Sequence, residues 1–253
     1  MKAMVFAAGL GTRLRPLTDH KPKALIPVGG VPMLERVLLR LRAAGFRQVV
    51  VNIHHLGQQI TDFLREKENF GMDICVSDER AQLLDTGGGI WHAREHLLGD
   101  DAPFLVHNAD ILTDIDLKAL YDRHLESEAD VTLYTADRKT SRYLLANAEN
   151  RLCGWLNTQT NETIPADIVP TDARLTRRAF GGIHVLSPSV FRYMEQGKWQ
   201  GAFPIIPFYL SICRTADIRC LDCPTHAWFD IGKPDALARA EAYVEEIGGE
   251  ETS

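Results

Sequence analysis

The apolar stretch over residues 3–8 runs into A-A-G-L-G-T-R-L-R-P-L-T, a segment equipped to hold a polyphosphate. Gly9 and Gly11 permit close approach of the backbone, while Thr12 and Arg13 add donors for phosphate oxygens. The spacing matches neither a Walker P-loop nor G-x-G-x-x-G, so the glycines alone identify nothing. More specific is the continuation K-P-K-A-L-I-P, which places Lys21 and Lys23 on a stiff, proline-flanked segment. An arginine fork beside a compact ammonium suits several phosphates of which one must react. Further along, Asn108, Ala109 and Asp110 follow an apolar run over 103–107. That sets Asp110 at the carboxyl end of a strand, where α/β proteins build their sites, although a lone aspartate there is more often a helix cap. A second acid, Asp230, lies in W-F-D-I-G-K-P just ahead of the last helical stretch. Two carboxylates together with phosphate oxygens suit Mg²⁺, a hard cation that takes few protein ligands.

Other signals are weaker. Asp85, Thr86, Gly87, Gly88 and Gly89 open a helical stretch whose first amides can read a base edge or an anion; an ordinary Asp or Thr cap with a tight helix contact explains the same residues. The histidines at 54, 55, 92, 96, 107, 124, 184 and 226 join no cysteine or carboxylate cluster of recognised spacing and read as surface or hydrogen-bonded core residues. Five scattered cysteines argue against a disulfide framework, and the one C-x-x-C, Cys220 and Cys223, lacks the second pair that a zinc site needs.

Elements that must position these residues follow from hydrophobic periodicity. Strands are expected over 3–8, 47–53, 72–77, 103–107 and 130–135, alternating with helices over 33–44, 58–70, 88–98 and 117–125. Near-continuous apolar strands alternating with helices predict an α/β fold, a Rossmann-like, doubly wound and mostly parallel sheet. After about residue 138 the rhythm changes to short strand candidates at 144–155, 179–186 and 218–221, with a long polar excursion over 158–178. This half is expected to complete the sheet and add a small lid, and a helix over 233–247 closes the chain before a frayed tail. The expected organisation is one domain over 1–253, with a first half at 1–138 and a second at 139–232.

A chain of 253 residues, 45% hydrophobic and 25% charged, has a globular profile. Its net charge of −6 is uneven, because residues 1–47 carry nine Lys or Arg against two acids and so the remainder is −13. An acidic protein whose basic loop lacks interleaved aromatics is not expected to bind nucleic acid. No run approaches membrane-spanning length and the N-terminal residues lack a leader's apolar core, so a cytoplasmic location with no membrane partner is expected.

The segments G-L-G-T-R-L-R-P-L-T and P-K-A-L-I-P-V, with V-N-I-H-H-L-G-Q-Q-I, L-L-D-T-G-G-G-I and A-P-F-L-V-H-N-A-D, resemble the sugar-1-phosphate nucleotidyltransferase family over essentially the whole chain. The resemblance implies a nucleotide-diphospho-sugar transferase fold with a nucleotide-binding half (1–138), a sugar-binding half (139–232) and a small sugar-side lid, and joining of an NTP to a sugar 1-phosphate with release of pyrophosphate. It implies that Ala8, Gly9, Gly11, Thr12, Arg13, Lys23, Thr86, Gly87, Gly88 and Asn108 contact the nucleotide, that Arg13 and Lys23 are catalytic, and that Asp110 and Asp230 hold Mg²⁺. Asp85 and Gly89 favour members that use UTP and N-acetylmuramic acid 1-phosphate, in cell-wall sugar recycling. Guanylyl-, thymidylyl- or cytidylyl transfer to another sugar or alcohol phosphate is the alternative, and a non-catalytic nucleotide-binding module is a further, different class. The E-K-P segment that helps hold the sugar phosphate in many hexose-specific members is replaced by Gly154, Trp155, Leu156, Asn157 and Thr158, a departure that agrees with the N-acetylmuramic acid 1-phosphate reading and removes the lysine. Asn157 and Gly182 stand as sugar-binding candidates, and Arg174, Arg177 and Arg178 either supply the missing cation or are simply solvated.

Overall fold

The β-branched run Val49, Val50, Val51 forms a strand because both of its faces are covered, and all three residues are under 5% exposed. The computed structural model describes residues 1–250 apart from Asp137, Pro170, Lys198, Pro224 and His226, and describes the backbone alone at 248–250. These residues form two compact units, one built from Met1–Leu83, His107–Leu117 and the chain from Thr225 onward, the other from Leu84–Val106 and Lys118–Pro224. The division interleaves along the sequence and does not fall near residue 138.

In the first unit Lys2–Phe6, Gln48–Ile53 and Asp73–Asp78 run parallel, with Phe6 opposite Asn52 and Asn52 opposite Ser77. Helices Met33–Ala43 and Gly57–Glu66 make the crossovers, as the alternation implied. The second helix stops earlier than its periodicity suggests, because Asn69 and Phe70 take positive φ in a tight turn. Strands Ile111–Thr113 and Trp228–Asp230 pair antiparallel, and helix Pro234–Glu250 follows directly. Under the loops lies an apolar cluster of Leu14, Ile26, Val28, Met33, Leu112, Ile231, Leu237 and Ala240.

The second unit holds the expected helical stretch over 88–98 as two pieces, Asp85–His92 and Arg94–Leu97. Its strands are mainly antiparallel. Thr176–Leu186 pairs antiparallel with Arg142–Ala146 and with Val131–Ala136, while Ile218–Asp222 runs parallel to Val131–Ala136. The candidate at 144–155 proves to be two strands, Arg142–Ala146 and Leu152–Asn157, joined by a turn. There Asn150 takes positive φ and Asn147 Oδ1 accepts from the amides of Glu149 and Arg151. The polar excursion contains strand Glu162–Ile164 and the start of Thr176–Leu186. Helices Val190–Glu195 and Ile205–Ile212, which the periodicity did not announce, bury Val190, Phe191 and Met194 from the first and Ile205, Phe208, Tyr209, Leu210 and Ile212 from the second. No helix of the described residues is long and apolar enough to cross a membrane.

Candidate active site

Each charged residue of the first unit's candidate site is tied to a buried neighbour in the chain. Arg13 precedes Leu14, Lys23 begins a turn that ends at Ile26, Asp110 lies two residues before Leu112, and Asp230 precedes Ile231. Burying such a side chain contributes roughly 1.5–3 kcal/mol, so these anchors hold the loops that carry an exposed Arg13 and the partly buried Lys23, Asp110 and Asp230.

The two aspartates, 120 positions apart in sequence, are joined by strand register. Asp230 pairs with Ile111, and the amide of Ile231 donates to the carbonyl of Asp110 at 3.0 Å. Lys23 Nζ forms an ion pair with Asp110 Oδ2. The amide of Gly232 donates to Asp230 Oδ1 at 2.9 Å. A Cβ placed on Gly232 would lie 2.7 Å from Lys23 Nζ, 2.8 Å from Asp230 Oδ1 and 2.9 Å from Arg13 Nη2. Arg13, Lys23, Asp110 and Asp230 therefore converge on one point beside Gly232.

The N-terminal turn is shaped for this. Gly11 has φ +66°, and a Cβ there would stand 2.7 Å from Thr18 Cγ2 and 3.1 Å from Lys23 Cβ, so glycine lets the turn close against the lysine. Thr18 Oγ1 donates to the Gly11 carbonyl at 2.9 Å. Gly9 is open, since a methyl group added there would meet nothing within 4 Å, and Thr12 is exposed beside it. Ala8 is buried, and the amides of Ala7 and Ala8 donate to Asn52 Oδ1 at 2.7 and 3.3 Å. Asn52 Nδ2 in turn donates to Glu79 Oε1 at 2.7 Å. This clamp fixes the exit of the first strand, and the signal for it was one polar residue inside V-V-V-N-I. Gly232 was passed over as well; its signal was a glycine two positions after the second acid. Asn108 ends the strand Phe104–Asn108, and its carbonyl contacts His107 Nδ1 at 2.8 Å.

As a cation site the two carboxylates are chemically suitable. Among the described residues no hydrogen bond occupies Asp110 Oδ1 or Asp230 Oδ2, and both groups are hard oxygen donors. No group of three or more His, Cys, Asp or Glu among the described residues forms an all-protein cage. That donor set fits Mg²⁺, which completes its shell with water and phosphate oxygens, and not a structural zinc.

Thr86, Gly87, Gly88, Asn157 and Gly182 lie in the second unit. The amides at this helix start have partners within the second unit, and that of Thr86 donates to Asp85 Oδ1 at 2.6 Å. Gly87 and Gly88 both donate to the carbonyl of Phe203, at 2.8 and 3.1 Å, and Thr86 Oγ1 accepts from the amide of Ile205 at 2.9 Å. The glycines are required sterically, because a Cβ at Gly87 would sit 2.1 Å from the Phe203 ring and one at Gly88 would sit 2.0 Å from the Gly201 carbonyl. Asn157 ends a strand and its Oδ1 accepts from the amide of Gln159 at 3.0 Å. Gly182 has φ +79° inside the irregularity between Phe180 and His184.

His107, His124 and His184 are core groups, while His20, His55, His92 and His96 are exposed. Burial pushes His107 and His124 down to about 4 and His184 down to about 3. His54 Nδ1 contacts the Glu79 carbonyl at 2.7 Å, and His226 lies outside the described residues. Cys220 is buried in its strand, which pushes the thiol up to about 12 and leaves it unsuited to redox or metal work.

Comparison with known proteins places the chain in a family. The family model described as Nucleotidyl transferase matches residues 2–247. Two proteins named N-acetylmuramate alpha-1-phosphate uridylyltransferase, from Neisseria meningitidis serogroup B and Caulobacter vibrioides, are each 33% identical over 96% of this chain and 97% of the relative. The solved structure of a UDP-glucose pyrophosphorylase from Acinetobacter baumannii superposes with a TM-score of 0.75 at 18% identity, covering 96% of this chain and 93% of that one, a likeness of fold. The α/β class with its parallel central strands is thus the one the sequence implied, and this chain belongs to the nucleotidyl transferase family, an enzyme whose relatives are sugar-1-phosphate nucleotidyltransferases.

Proposed function

We propose that this enzyme transfers the uridylyl group of UTP to N-acetylmuramic acid 1-phosphate, releasing pyrophosphate, with Mg²⁺ held by Asp110 and Asp230. The observation that carries the reaction is the convergence of two cations and two carboxylates beside Gly232. The choice of base and sugar is supported by the two relatives that match nearly end to end. A role in cell-wall sugar recycling, in the cytoplasm, belongs to the same reading, and the free thiols of Cys75, Cys153, Cys213 and Cys220 are consistent with a reducing compartment.

A sugar phosphate has its second pKa at about 6, so the nucleophile is already a dianion at neutral pH and needs no general base. The barrier lies in bringing two anions together and in the charge that builds on the α-phosphoryl group and the leaving pyrophosphate. Arg13 offers a fork to phosphate oxygens, and Lys23 supplies a point charge next to Asp110. The exposed Gly9 and Thr12 leave room for the triphosphate against the N-terminal turn. When bound, the cation would neutralise phosphate charge and fix the geometry for in-line attack. Attack is direct, with no nucleotidyl-enzyme intermediate.

A pyrophosphate-release panel crossing UTP, GTP, CTP and dTTP with several sugar 1-phosphates, with and without Mg²⁺, tests this reading. UTP with N-acetylmuramic acid 1-phosphate should give the highest kcat/KM and should need the divalent ion. A better pair elsewhere in the panel would reassign base or sugar. Asp230→Asn should lower kcat by about 10²–10³-fold with the fold intact, as removal of one preorganised charge does. Near-normal turnover in that variant would defeat the metal role.

A further inference from the structure

The pairing of Lys2–Phe6 with Gln48–Ile53 ends at Phe6, opposite Asn52. Beyond it Ala7 and Ala8 are 4% and 6% exposed, so their amides need partners inside the protein. One atom serves both, Asn52 Oδ1. The Phe6 carbonyl accepts from the amide of Ala109, the residue before Asp110, at 3.1 Å. The peptide group between Phe6 and Ala7 is thus held at both ends, and the next one at its amide.

Glu79, behind Asn52, is itself pinned. Its amide donates to the Ile53 carbonyl at 2.8 Å, and its carbonyl accepts from His54 Nδ1 at 2.7 Å. Its carboxylate accepts from Asn52 Nδ2, and both residues are 2% exposed. A charged acceptor at one end of an amide polarises it, which makes Asn52 Oδ1 a stronger acceptor for the two amides it holds. A valine at position 52 would continue the apolar run at 49–51 with no polar group to desolvate. An amide and a carboxylate buried there instead are unfavourable unless each makes its bonds, and what those bonds fix is the root of the turn at residues 9–13.

Resting on the proposed binding of the triphosphate at that turn, we infer that Asn52 is a positioning residue for the nucleotide, with Glu79 as its anchor, acting through the amides of Ala7 and Ala8. The test exchanges the chemistry of the two side chains. With Asn52→Asp and Glu79→Gln together, the new carboxylate at 52 still accepts from both amides, the new amide at 79 donates back to it, and the total charge is kept. UTP binding is measured by calorimetry with Mg²⁺ well below the melting temperature, alongside thermal melting and the KM of each substrate. Asn52→Ala should weaken UTP binding about tenfold, the net worth of one hydrogen bond, and leave the KM for the sugar phosphate within about twofold. Asn52→Asp alone sets two buried carboxylates together and should also weaken UTP binding. Adding Glu79→Gln should restore the affinity to within about twofold of the parent. Ser77→Ala is the control: Ser77 lies opposite Asn52, is 3% exposed, and its Oγ has no hydrogen-bond partner among the described residues, so UTP affinity should not change. A purely structural clamp would lower the melting temperature of Asn52→Ala and leave the UTP affinity of the folded protein unchanged. That result, or a folded double variant that binds no better than Asn52→Asp, overturns the inference. The expected pattern of binding without turnover of any sugar phosphate would defeat the proposed reaction and leave the positioning role standing. A parent enzyme that binds none of UTP, GTP, CTP and dTTP would defeat both.

Discussion

Residues 9–13 and residues 85–89 are both glycine-rich openings of a helical turn, and they are built for opposite ends. At Gly9 a methyl group would meet nothing within 4 Å, whereas at Gly88 it would meet the Gly201 carbonyl at 2.0 Å. The amides of Gly87 and Gly88 are taken by Phe203, while the first turn faces open space with Arg13 and Lys23 gathered near it. A glycine over open space leaves room for a ligand; a glycine over a ring or a carbonyl leaves room for the protein itself. Gly232 belongs to a third kind, because the atoms crowding it are the charged ends of three side chains.

Gly232→Ala gives the largest effect. Its new methyl would displace Lys23 Nζ, Asp230 Oδ1 and Arg13 Nη2, all of which can swing away at little cost to the fold. Turnover should fall about 10²-fold, since reacting groups misplaced by about 1 Å lose that much. The melting temperature should move by no more than about 2 °C, because the atoms that must give way are flexible side-chain ends and not backbone. A melting point that falls in step with activity would make Gly232 a packing glycine and collapse the distinction.

Gly88→Ala should do the reverse. Backbone, not a flexible side-chain end, blocks its methyl, so the helix start must shift at a cost of about 1–3 kcal/mol. Thermal denaturation should show a drop of roughly 2–4 °C for each kcal/mol in a chain of this size, with the KM for UTP changed less than the melting point implies. Lost nucleotide affinity at an unchanged melting temperature would instead place residues 85–89 in the ligand's path.

These contrasts mark where the sequence was readable. The β-loop-α opening and the final helix were visible because periodicity and glycine punctuation are local properties, and the cations of the first loop were visible because Pro and Gly exclude them from an ordinary helix face. That Asp110 and Asp230 adjoin was not visible in this sense. It depends on the antiparallel register of Trp228–Asp230 with Ile111–Thr113, a pairing between segments over a hundred residues apart that no window of sequence contains. The turn between Arg142–Ala146 and Leu152–Asn157 was missed although Asn147 and Asn150 signalled it, since its flanks read as one continuous run. The aromatic packing that consumes the space at Gly87 was hidden for the same reason as the register, because Phe203 is remote from Gly87 in the chain.

That packing supplies the smallest effect and separates the two turns by pH. Behind Phe203, ring contacts pass through Phe208 and Tyr209 to His184, whose Nδ1 shares a hydrogen bond of 3.1 Å with Tyr209 Oη. Burial holds His184 at about 3, and His107 and His124 at about 4, each well below the ordinary value of 6.5. The unfolded chain therefore binds protons at these groups that the folded chain refuses. Stability is whole above about pH 6.5 and declines below it, each histidine removing on the order of 1.4 kcal/mol per pH unit until its folded value is reached. His184→Gln takes one of these three groups out of the balance while keeping a polar partner for Tyr209. Urea unfolding between pH 6 and 4.5 should then lose about one third less of the histidine-linked stability than the parent enzyme does. Identical pH slopes for the two proteins would mean that His184 is open to solvent, and that the ring stack running from it to Phe203 does not close off the seat of the second turn.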